Sequence, residues 1–328
     1  MAYIYKKIIH EKPYYYLRVS KRLKGKIIVK DIAYLGSDVE KIKENLDNLP
    51  KKEVRSAYKN ITKFLQSEYY LKKVKNLKLK ENPYIDKKLL EEIEAINLHF
   101  NNHFMKLDKK TIEETYKNFI IDFAFNTTSL EGNTITLSET NKLLRENLTP
   151  KNRTLMEIYD LKNTETVFFN ILEMKKEIDH DFIVSMHDEL LKNIDERGGY
   201  RRHDIRVFGA RFRASPFIYI KADIDNLLKW SKDANFHPFV LASIFHYKFE
   251  KIHPFADGNG RTGRMLMNYI LLQAKYPAFS VRKSRRGDYL DAMGLADKAE
   301  KTDPKYYKKL VNYLAEEMIH SYWNNFLI

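Results

Sequence analysis

The order of hydrophobic and polar residues divides the chain into a short β-rich start and a long helical remainder. Between residues 3 and 36, runs rich in tyrosine and β-branched residues surround the dipeptide Lys24-Gly25, which predicts a small antiparallel sheet. Ser37 and Glu40 have the spacing of a capping box and predict a short helix that ends near Pro50. We therefore expect residues 1–50 to form a small β module with a short helix.

Apolar residues at three-and-four spacing predict helices along most of the remaining chain. A helical stretch over 51–83 ends at Asn82-Pro83, so we interpret it as a linker and the segment 84–328 as the main domain. Thr111 and Glu114 predict the start of a helix that runs to residue 131. Further helices are predicted near 138–147, 153–175, 180–193, 223–232, 238–252, 260–275 and 304–325. The expected fold class is mainly α.

Two short β-type runs interrupt this helical pattern. Residues 205–208 and 217–220 lie on either side of Gly209-Ala210, an arrangement that is typical of a hairpin. We therefore expect a lone β-hairpin at 205–220.

The positive charge of the chain is concentrated near its start. Residues 1–80 hold 21 Lys+Arg and 8 Asp+Glu, a net +13, whereas the other residues hold 37 and 36, a net +1, of the chain's 58 and 44. This asymmetry favours contact with a polyanion, but a lysine-rich solvated surface, or a genome that favours lysine, explains it equally well. Both interpretations stay open.

Residue usage narrows the chemistry and the compartment. The chain has no cysteine, which excludes disulfides, thiol nucleophiles and cysteine-ligated zinc. No apolar run approaches the roughly 18 residues of a membrane helix, and the first residues lack the apolar core of a signal peptide. We expect a cytoplasmic protein with no membrane partner.

The segment from His253 to Arg264 holds the most informative group of residues. Its glycine-rich loop precedes a predicted helix, and backbone N–H groups at such a helix start bind phosphate. Arg261 and Arg264 lie on one face of the first turn, where guanidinium groups oppose the helix dipole and favour an anionic partner. Asp257 is a suitable Mg²⁺ ligand beside phosphates, and His253 is a suitable proton acceptor. Together these residues favour phosphoryl or nucleotidyl transfer, although each alone is more often structural.

The same segment resembles the Fic motif, HxFx(D/E)GNGRxxR. All eight specified positions are present: His253, Phe255, Asp257, Gly258, Asn259, Gly260, Arg261 and Arg264. The resemblance extends over about residues 85 to 328 and implies a Fic-type helical bundle with a β-hairpin flap. It also implies a protein adenylyltransferase (AMPylator), which transfers AMP from ATP to a Ser, Thr or Tyr hydroxyl of a target protein.

The resemblance implies a role for each motif residue. His253 would be the general base for the attacking hydroxyl, and Asp257 would hold Mg²⁺ at the α- and β-phosphates. The target protein would pair with the flap at 205–220 by strand addition.

The phosphates would lie against the start of the following helix. The backbone of Gly258, Asn259 and Gly260 would hold them, while Arg261 and Arg264 would neutralise the departing pyrophosphate. The identity of the nucleotide stays open, because relatives with the same core use other nucleoside phosphates or phosphocholine.

A second segment resembles the family's inhibitory motif, (S/T)xxxE(G/N), with Thr127 and Glu131 in its fixed positions and Gly132 after them. A carboxylate against Arg264 would remove a γ-phosphate partner and repel the ATP tail, so we expect an autoinhibitory helix at 111–131. Taken alone, Glu131-Gly132-Asn133 is better interpreted as a helix C-terminus, and only the intact Fic motif beside it favours the inhibitory role. In some relatives this glutamate also assists hydrolytic removal of AMP, so a de-AMPylating hydrolase is an alternative.

The tyrosine- and lysine-rich start faintly resembles the small β module of some insertion-sequence transposases. Aromatic and basic residues together suit nucleic acid, although tyrosine is also a good strand former. A nucleic-acid-binding regulator that uses residues 1–80, with a largely silent Fic domain, is therefore a further alternative. A homodimer is compatible with the sequence.

Overall fold

A computed structural model describes residues 2–10, 12–23, 26–49, 51–206, 213–299 and 302–327. The chain begins with three strands in the order β1-β2-β3, all antiparallel: Ala2–Ile9, Lys12–Leu23 and Lys26–Gly36. Since successive side chains of a strand alternate between faces, Ile4, Leu17 and Leu35 share one face and are buried. The predicted antiparallel module is thus present.

A short helix follows the sheet, as expected, but its cap differs from the predicted one. Asp38 caps a 3₁₀ turn, Val39–Lys41, by accepting a hydrogen bond from the Glu40 N–H at 3.2 Å, and helix α1, Ile42–Asp47, continues from it. The predicted capping by Ser37 is therefore wrong. Aspartate one residue later supplies the same kind of acceptor.

Helix α2, Lys51–Asn76, joins the module to the rest of the protein. Its middle, at Ile61, packs in the core of the sheet, and its end, at Tyr70 and Val74, packs on Ala95. The predicted linker 51–83 therefore contains a long helix that contacts both parts. The division into domains at 50 and 83 stays a prediction.

The main part is helical and holds one large hydrophobic core. Its helices are α3 Lys87–Asn102, α4 Lys109–Leu130, α5 Leu137–Glu146, α6 Leu155–Glu173, α7 His180–Leu190, α8 Ile220–Asp233, α9 Pro238–Ile252, α10 Asn259–Gln273, α11 Arg286–Ala296 and α12 Pro304–Asn325. Helices α9 and α10 lie in the centre and are buried along most of their length, which fixes the loop between them on a rigid base.

Each predicted helix of this region is present, but α3 and α11 were not specifically predicted. Helix α4 begins two residues before the predicted start, because Asp108 caps it by accepting a hydrogen bond from Thr111 N–H at 3.0 Å. The predicted capping box of Thr111 and Glu114 is therefore wrong. Genuine capping boxes start α5, at Thr136 and Glu139, and α6.

The predicted second strand of the hairpin, 217–220, is absent. Phe217–Tyr219 forms a 3₁₀ turn that leads into α8, because Pro216 precedes it and the Asp204 carboxylate accepts a hydrogen bond from Phe217 N–H at 2.8 Å. Residues 205 and 206 are not in a strand, and residues 207–212 of the predicted hairpin lie outside the described residues.

Within the ranges that the structure describes, no helix combines the length and apolar character needed to cross a bilayer.

Candidate active site

His253 lies where α9 ends. It has a left-handed backbone, with φ 52° and ψ 62°, and its N–H donates to the Phe249 carbonyl at 3.0 Å, so it caps the helix. The ring atom Nδ1 lies 3.2 Å from the Glu250 carbonyl oxygen. Because a carbonyl oxygen only accepts, Nδ1 carries the proton and Nε2 is the basic nitrogen of the neutral ring.

Arg201, which the sequence did not suggest, fixes the backbone around His253. Its side chain is fully buried and donates from Nε to the His253 carbonyl at 2.9 Å. The same guanidinium donates to the carbonyls of His203, at 2.9 Å, and Ser215, and the Arg201 N–H donates to Pro254 at 3.0 Å. One side chain thus joins the histidine turn to Ser215 of the predicted flap and to the segment just before the flap.

The loop after His253 is closed by its own polar groups. The Asn259 side chain accepts from Phe255 N–H and donates to the Phe255 carbonyl, both at 2.9 Å. The Phe255 ring stacks on His187 at 3.6 Å, and His187 Nε2 donates to the Asp257 carbonyl at 3.1 Å. This bracing turns the Asn259 side chain toward the loop and leaves only its backbone for a ligand.

Gly258 is required at the start of α10. Its φ is 76°, and a Cβ there would lie 2.5 Å from Leu191 Cδ2, so a larger residue is excluded by both the backbone and the neighbouring side chain. The Asp257 carboxylate, half exposed, accepts from Gly258 N–H at 2.7 Å with Oδ1. Its Oδ2 faces Arg261.

Arg261 is held between two carboxylates. Nη1 donates to Asp160 at 2.7 Å and Nη2 to Asp257 at 3.1 Å, with only 5% of the arginine side chain exposed. Asp160 also accepts from Asn133, two residues after Glu131. Burial raises the pKa of the Asp160 carboxyl, while the Arg261 charge opposes that shift. Asp160, which approaches from α6, was not predicted from the sequence.

Glu131 and Thr127 both contact Arg264. The Arg264 side chain is buried and donates from Nη2 to Glu131 Oε1 at 2.5 Å and to the Thr127 carbonyl at 3.0 Å, and from Nε to Thr127 Oγ1 at 2.8 Å. Four residues separate Thr127 from Glu131, so one helical turn brings both to the same guanidinium.

The Glu131 carboxylate lies against the first turn of α10. A Cβ on Gly260 would lie 2.1 Å from Glu131 Oε1. Because the N-terminus of a helix attracts negative charge, the carboxylate occupies a position that favours any anion. It is also only partly covered, with 36% of its side chain exposed, so solvent reaches this position.

A buried polar layer lies beneath Arg264. Burial raises the pKa of Glu250 to about 8, against the opposing charge of Arg264 and with a smaller contribution from Glu131. His246 Nε2 lies 2.7 Å from the Tyr289 hydroxyl, and burial lowers the pKa of this histidine to about 3. Glu250 Oε1 has no hydrogen-bond partner in the part of the chain that the structure describes.

The electrostatics of His253 favour the neutral ring. Burial lowers its pKa, and the Arg201 charge lowers it further, whereas Glu131 and Asp257 act in the opposite direction. These couplings also indicate that the imidazole and both carboxylates share one site.

All sequence-predicted site residues lie together: His253, Asp257, Gly258, Asn259, Gly260, Arg261, Arg264, Thr127 and Glu131. Their chemical roles stay predictions. No group of three or more His, Asp or Glu side chains suited to a metal occurs among the residues that the structure describes. Asp257 is thus a single carboxylate beside an anion-binding helix start, which is a fitting donor set for Mg²⁺ that arrives with phosphates.

Comparison with known proteins agrees with this geometry. Residues 177–271 match the model of the Fic/DOC family. A protein adenylyltransferase, fic-1, of Caenorhabditis elegans is 28% identical over 223 residues, which are 65% of this chain and 43% of the relative. The protein adenylyltransferase Fic of Drosophila ananassae is 31% identical over 183 residues, 54% of this chain and 37% of the relative. The chain thus spans less than half the length of these relatives.

Solved structures share the fold. A Fic-domain-containing signalling protein from Bacteroides thetaiotaomicron superposes with a TM-score of 0.64 at 24% identity, over 70% of this chain and 94% of that one. Residues 134–508 of C. elegans Fic-1 give a TM-score of 0.61 at 20% identity, over 88% and 82% of the two chains. The family match is thus confined to residues 177–271, and the solved structures extend the similarity of fold beyond it.

Proposed function

We propose that this protein is an adenylyltransferase that transfers AMP from ATP to a hydroxyl group of a target protein. The observation that carries the proposal is the juxtaposition of a neutral imidazole, His253, with an anion-binding helix start whose Arg264 already holds a carboxylate. The names of the relatives support the same activity.

His253 acts as the general base. With its Nδ1 proton directed at the Glu250 carbonyl, Nε2 accepts the proton of the target hydroxyl as that oxygen attacks the α-phosphorus. Its lowered pKa keeps it unprotonated at neutral pH. The target segment lies along residues 205–220, next to the turn that Arg201 fixes.

The start of α10 binds the phosphates. Gly258, Asn259 and Gly260 form the start of α10, where the helix dipole and the first backbone N–H groups favour negative charge. The Gly258 N–H, which donates to Asp257 Oδ1 in this structure, would change partner to bind a phosphate. Arg264 neutralises the departing pyrophosphate, and Arg261 contributes its charge from between its carboxylates. Asp257 holds Mg²⁺, which supplies charge neutralisation on the phosphates.

Glu131 inhibits this reaction. Its carboxylate accepts a hydrogen bond from Arg264 at 2.5 Å and lies against Gly260 at the start of α10. Arg264 is therefore not available to the γ-phosphate of ATP, and the negative charge of Glu131 repels that phosphate. The same carboxylate is placed to orient water, so hydrolytic removal of AMP is a second activity of the site.

Labelled ATP and Mg²⁺ test the proposal. Glu131→Gly should increase AMP transfer to protein at least tenfold, since ATP no longer competes with a paired carboxylate. His253→Ala, in the same background, should abolish the transfer. Covalent AMP is measured by mass spectrometry on the full chain and on added protein.

Glu146→Gly is the matched control, because Glu146 is an exposed glutamate at the end of α5. Its labelling should equal that of the unchanged protein. Equal labelling of the unchanged, Glu131→Gly and His253→Ala proteins would reject the assignment. Loss of AMP from a modified target only when Glu131 is present would establish the hydrolytic activity.

A specific surface favours nucleic-acid binding as a second function. Tyr16 lies between Tyr5 and Tyr34 in the strand register, on the face opposite the buried Leu17, and its ring centroid is 5.3 Å from that of Tyr34. The Arg18 guanidinium lies 3.5 Å from the Tyr5 ring centroid. These tyrosines lie within a region of net charge +13. Such a surface suits single-stranded nucleic acid, because the bases stack on the tyrosine rings and the positive charge attracts the phosphates.

Tyr16→Ala together with Tyr34→Ala should weaken the binding of a labelled single-stranded oligonucleotide about fivefold or more, because each stacked base contributes on the order of 1–3 kcal/mol. Fluorescence anisotropy at several salt concentrations measures it. Tyr58→Ala, an exposed tyrosine on α2, is the control. Binding that the double substitution leaves unchanged would mean that the tyrosine face is not the site.

A further inference from the structure

A groove lies between α8 and α9, next to the proposed active site. Its volume is about 460 Å³. It is lined along α9 by Tyr247, Lys248 and Lys251, and on the α8 side by Trp230 and Asp223. None of these residues belongs to the motifs that predict the active site.

Two described residues of the predicted flap line one end of the groove. Arg213 and Ser215 line it there, and the Ser215 N–H donates to the Ile252 carbonyl at 3.2 Å. Ile252 is the residue before His253, and Arg201 binds the carbonyls of both Ser215 and His253. A chain segment that leaves the active site past Ser215 therefore enters this groove.

Three cations line the groove. The Lys248 ammonium lies 4.9 Å from the Trp230 ring and the Lys251 ammonium 5.9 Å from the Tyr247 ring. Across the described ranges, neither lysine has a carboxylate within ion-pair distance. Asp297, a nearby acid, accepts from the Tyr247 hydroxyl at 2.9 Å.

Lys248 and Lys251 place two positive charges close together on α9. Both are half-buried and lie three residues apart on one helix face. Burial lowers the pKa of Lys248, and the charge of Lys251 lowers it further. Together with Arg213 they give the groove three positive charges against the one negative charge of Asp223. An anion that binds in the groove therefore reduces the repulsion between the lysines, which water screens only partly there.

We propose that this α8–α9 groove binds an acidic side chain of the target protein, close in sequence to the hydroxyl that receives AMP. The inference rests on the proposed adenylyl transfer. The aromatic rings hold the lysine stems in place, so less side-chain entropy is lost when a carboxylate binds. Because the described part of the predicted flap contains no strand, a target side chain that binds in the groove supplies recognition that backbone pairing there does not.

Peptides that contain one threonine test the inference, with the Glu131→Gly full chain, labelled ATP and Mg²⁺. Each peptide carries Glu, Gln or Lys at one position within four residues of the threonine. At one or more positions, the Glu peptide should have a kcat/KM about five- to tenfold higher than the Gln peptide, mainly because its KM is lower. The Lys peptide should have a lower kcat/KM than the Gln peptide. The preference should weaken as salt rises.

Lys248→Met with Lys251→Met removes both charges and keeps the stems over the rings. This pair should bring the Glu-to-Gln ratio to about one. Lys221→Met with Lys229→Met, two exposed lysines of α8 outside the groove, is the matched control and should keep the ratio. Melting temperatures of both pairs verify folding.

The outcomes separate the two proposals. Labelled protein without any preference for Glu would overturn the groove and leave adenylyl transfer standing. A preference that survives Lys248→Met with Lys251→Met would also overturn the groove. No label on any peptide or on the protein itself would overturn adenylyl transfer and this inference with it.

Discussion

Among single residues, Arg201 has the widest influence on the site. One buried guanidinium donates to three carbonyls, those of His203, Ser215 and His253, and its charge lowers the pKa of the His253 ring. It does not face the phosphates, so it is a positioning residue. Both effects, the geometric and the electrostatic, are open to separate measurement.

Arg201→Gln and Arg201→Lys separate these effects in the Glu131→Gly background. Either change leaves carbonyls without donors, so both should lower kcat about tenfold or more. Only Arg201→Gln removes the charge that disfavours protonated His253, so only this variant should move the acid limb of the pH–rate profile to higher pH.

Arg202→Gln is the control, because Arg202 is the exposed neighbour. Its rate and profile should not change. If Arg201→Gln lost activity in proportion to its melting temperature, with the acid limb unmoved, Arg201 would be a structural residue only.

At the scale of helices and strands, the sequence predicts those elements whose structure is decided by residues close to one another in the chain. Helix α10 follows from its apolar spacing, and its glycine-rich start follows from the motif. The predicted strand at 217–220 is wrong, because the contact of Asp204 with Phe217 N–H, thirteen residues apart, decides the local structure. β-type composition alone carries no information about such a contact.

The same limit explains which site residues were missed. Thr127 and Glu131 are one turn apart on α4, so a motif detects them. Asp160 reaches Arg261 from α6, more than a hundred residues away in sequence, and Arg201 acts through backbone carbonyls that any residue supplies. Helix packing brings these groups together, and a single sequence does not reveal it.

At the scale of the whole molecule, Arg264 of α10 lies in a polar layer that includes carboxyl groups from α4 and α9. Arg264 lies between the partly exposed Glu131 and the buried Glu250, and Glu131 contacts solvent. A carboxyl group that stays protonated in the folded protein and ionises in the unfolded chain couples global stability to pH.

Glu250 makes this coupling measurable. Burial raises its pKa to about 8 in the folded protein, against 4.5 as the ordinary value, so between these pH values the folded protein holds a proton that the unfolded chain has released. The free energy of unfolding therefore falls as pH rises through this window. Glutamine does not ionise, so Glu250→Gln should gain roughly 2–5 °C in Tm relative to the unchanged protein between pH 5 and pH 8.

Tm is measured by calorimetry at constant ionic strength. Only the change of the Tm difference with pH is used, because any packing cost of the amide is the same at every pH. Glu146→Gln, at an exposed helix end, should show a constant difference. A Glu250→Gln difference that is equally constant would show that this carboxyl does not change protonation on unfolding, and the buried layer beneath Arg264 would then be ionised throughout.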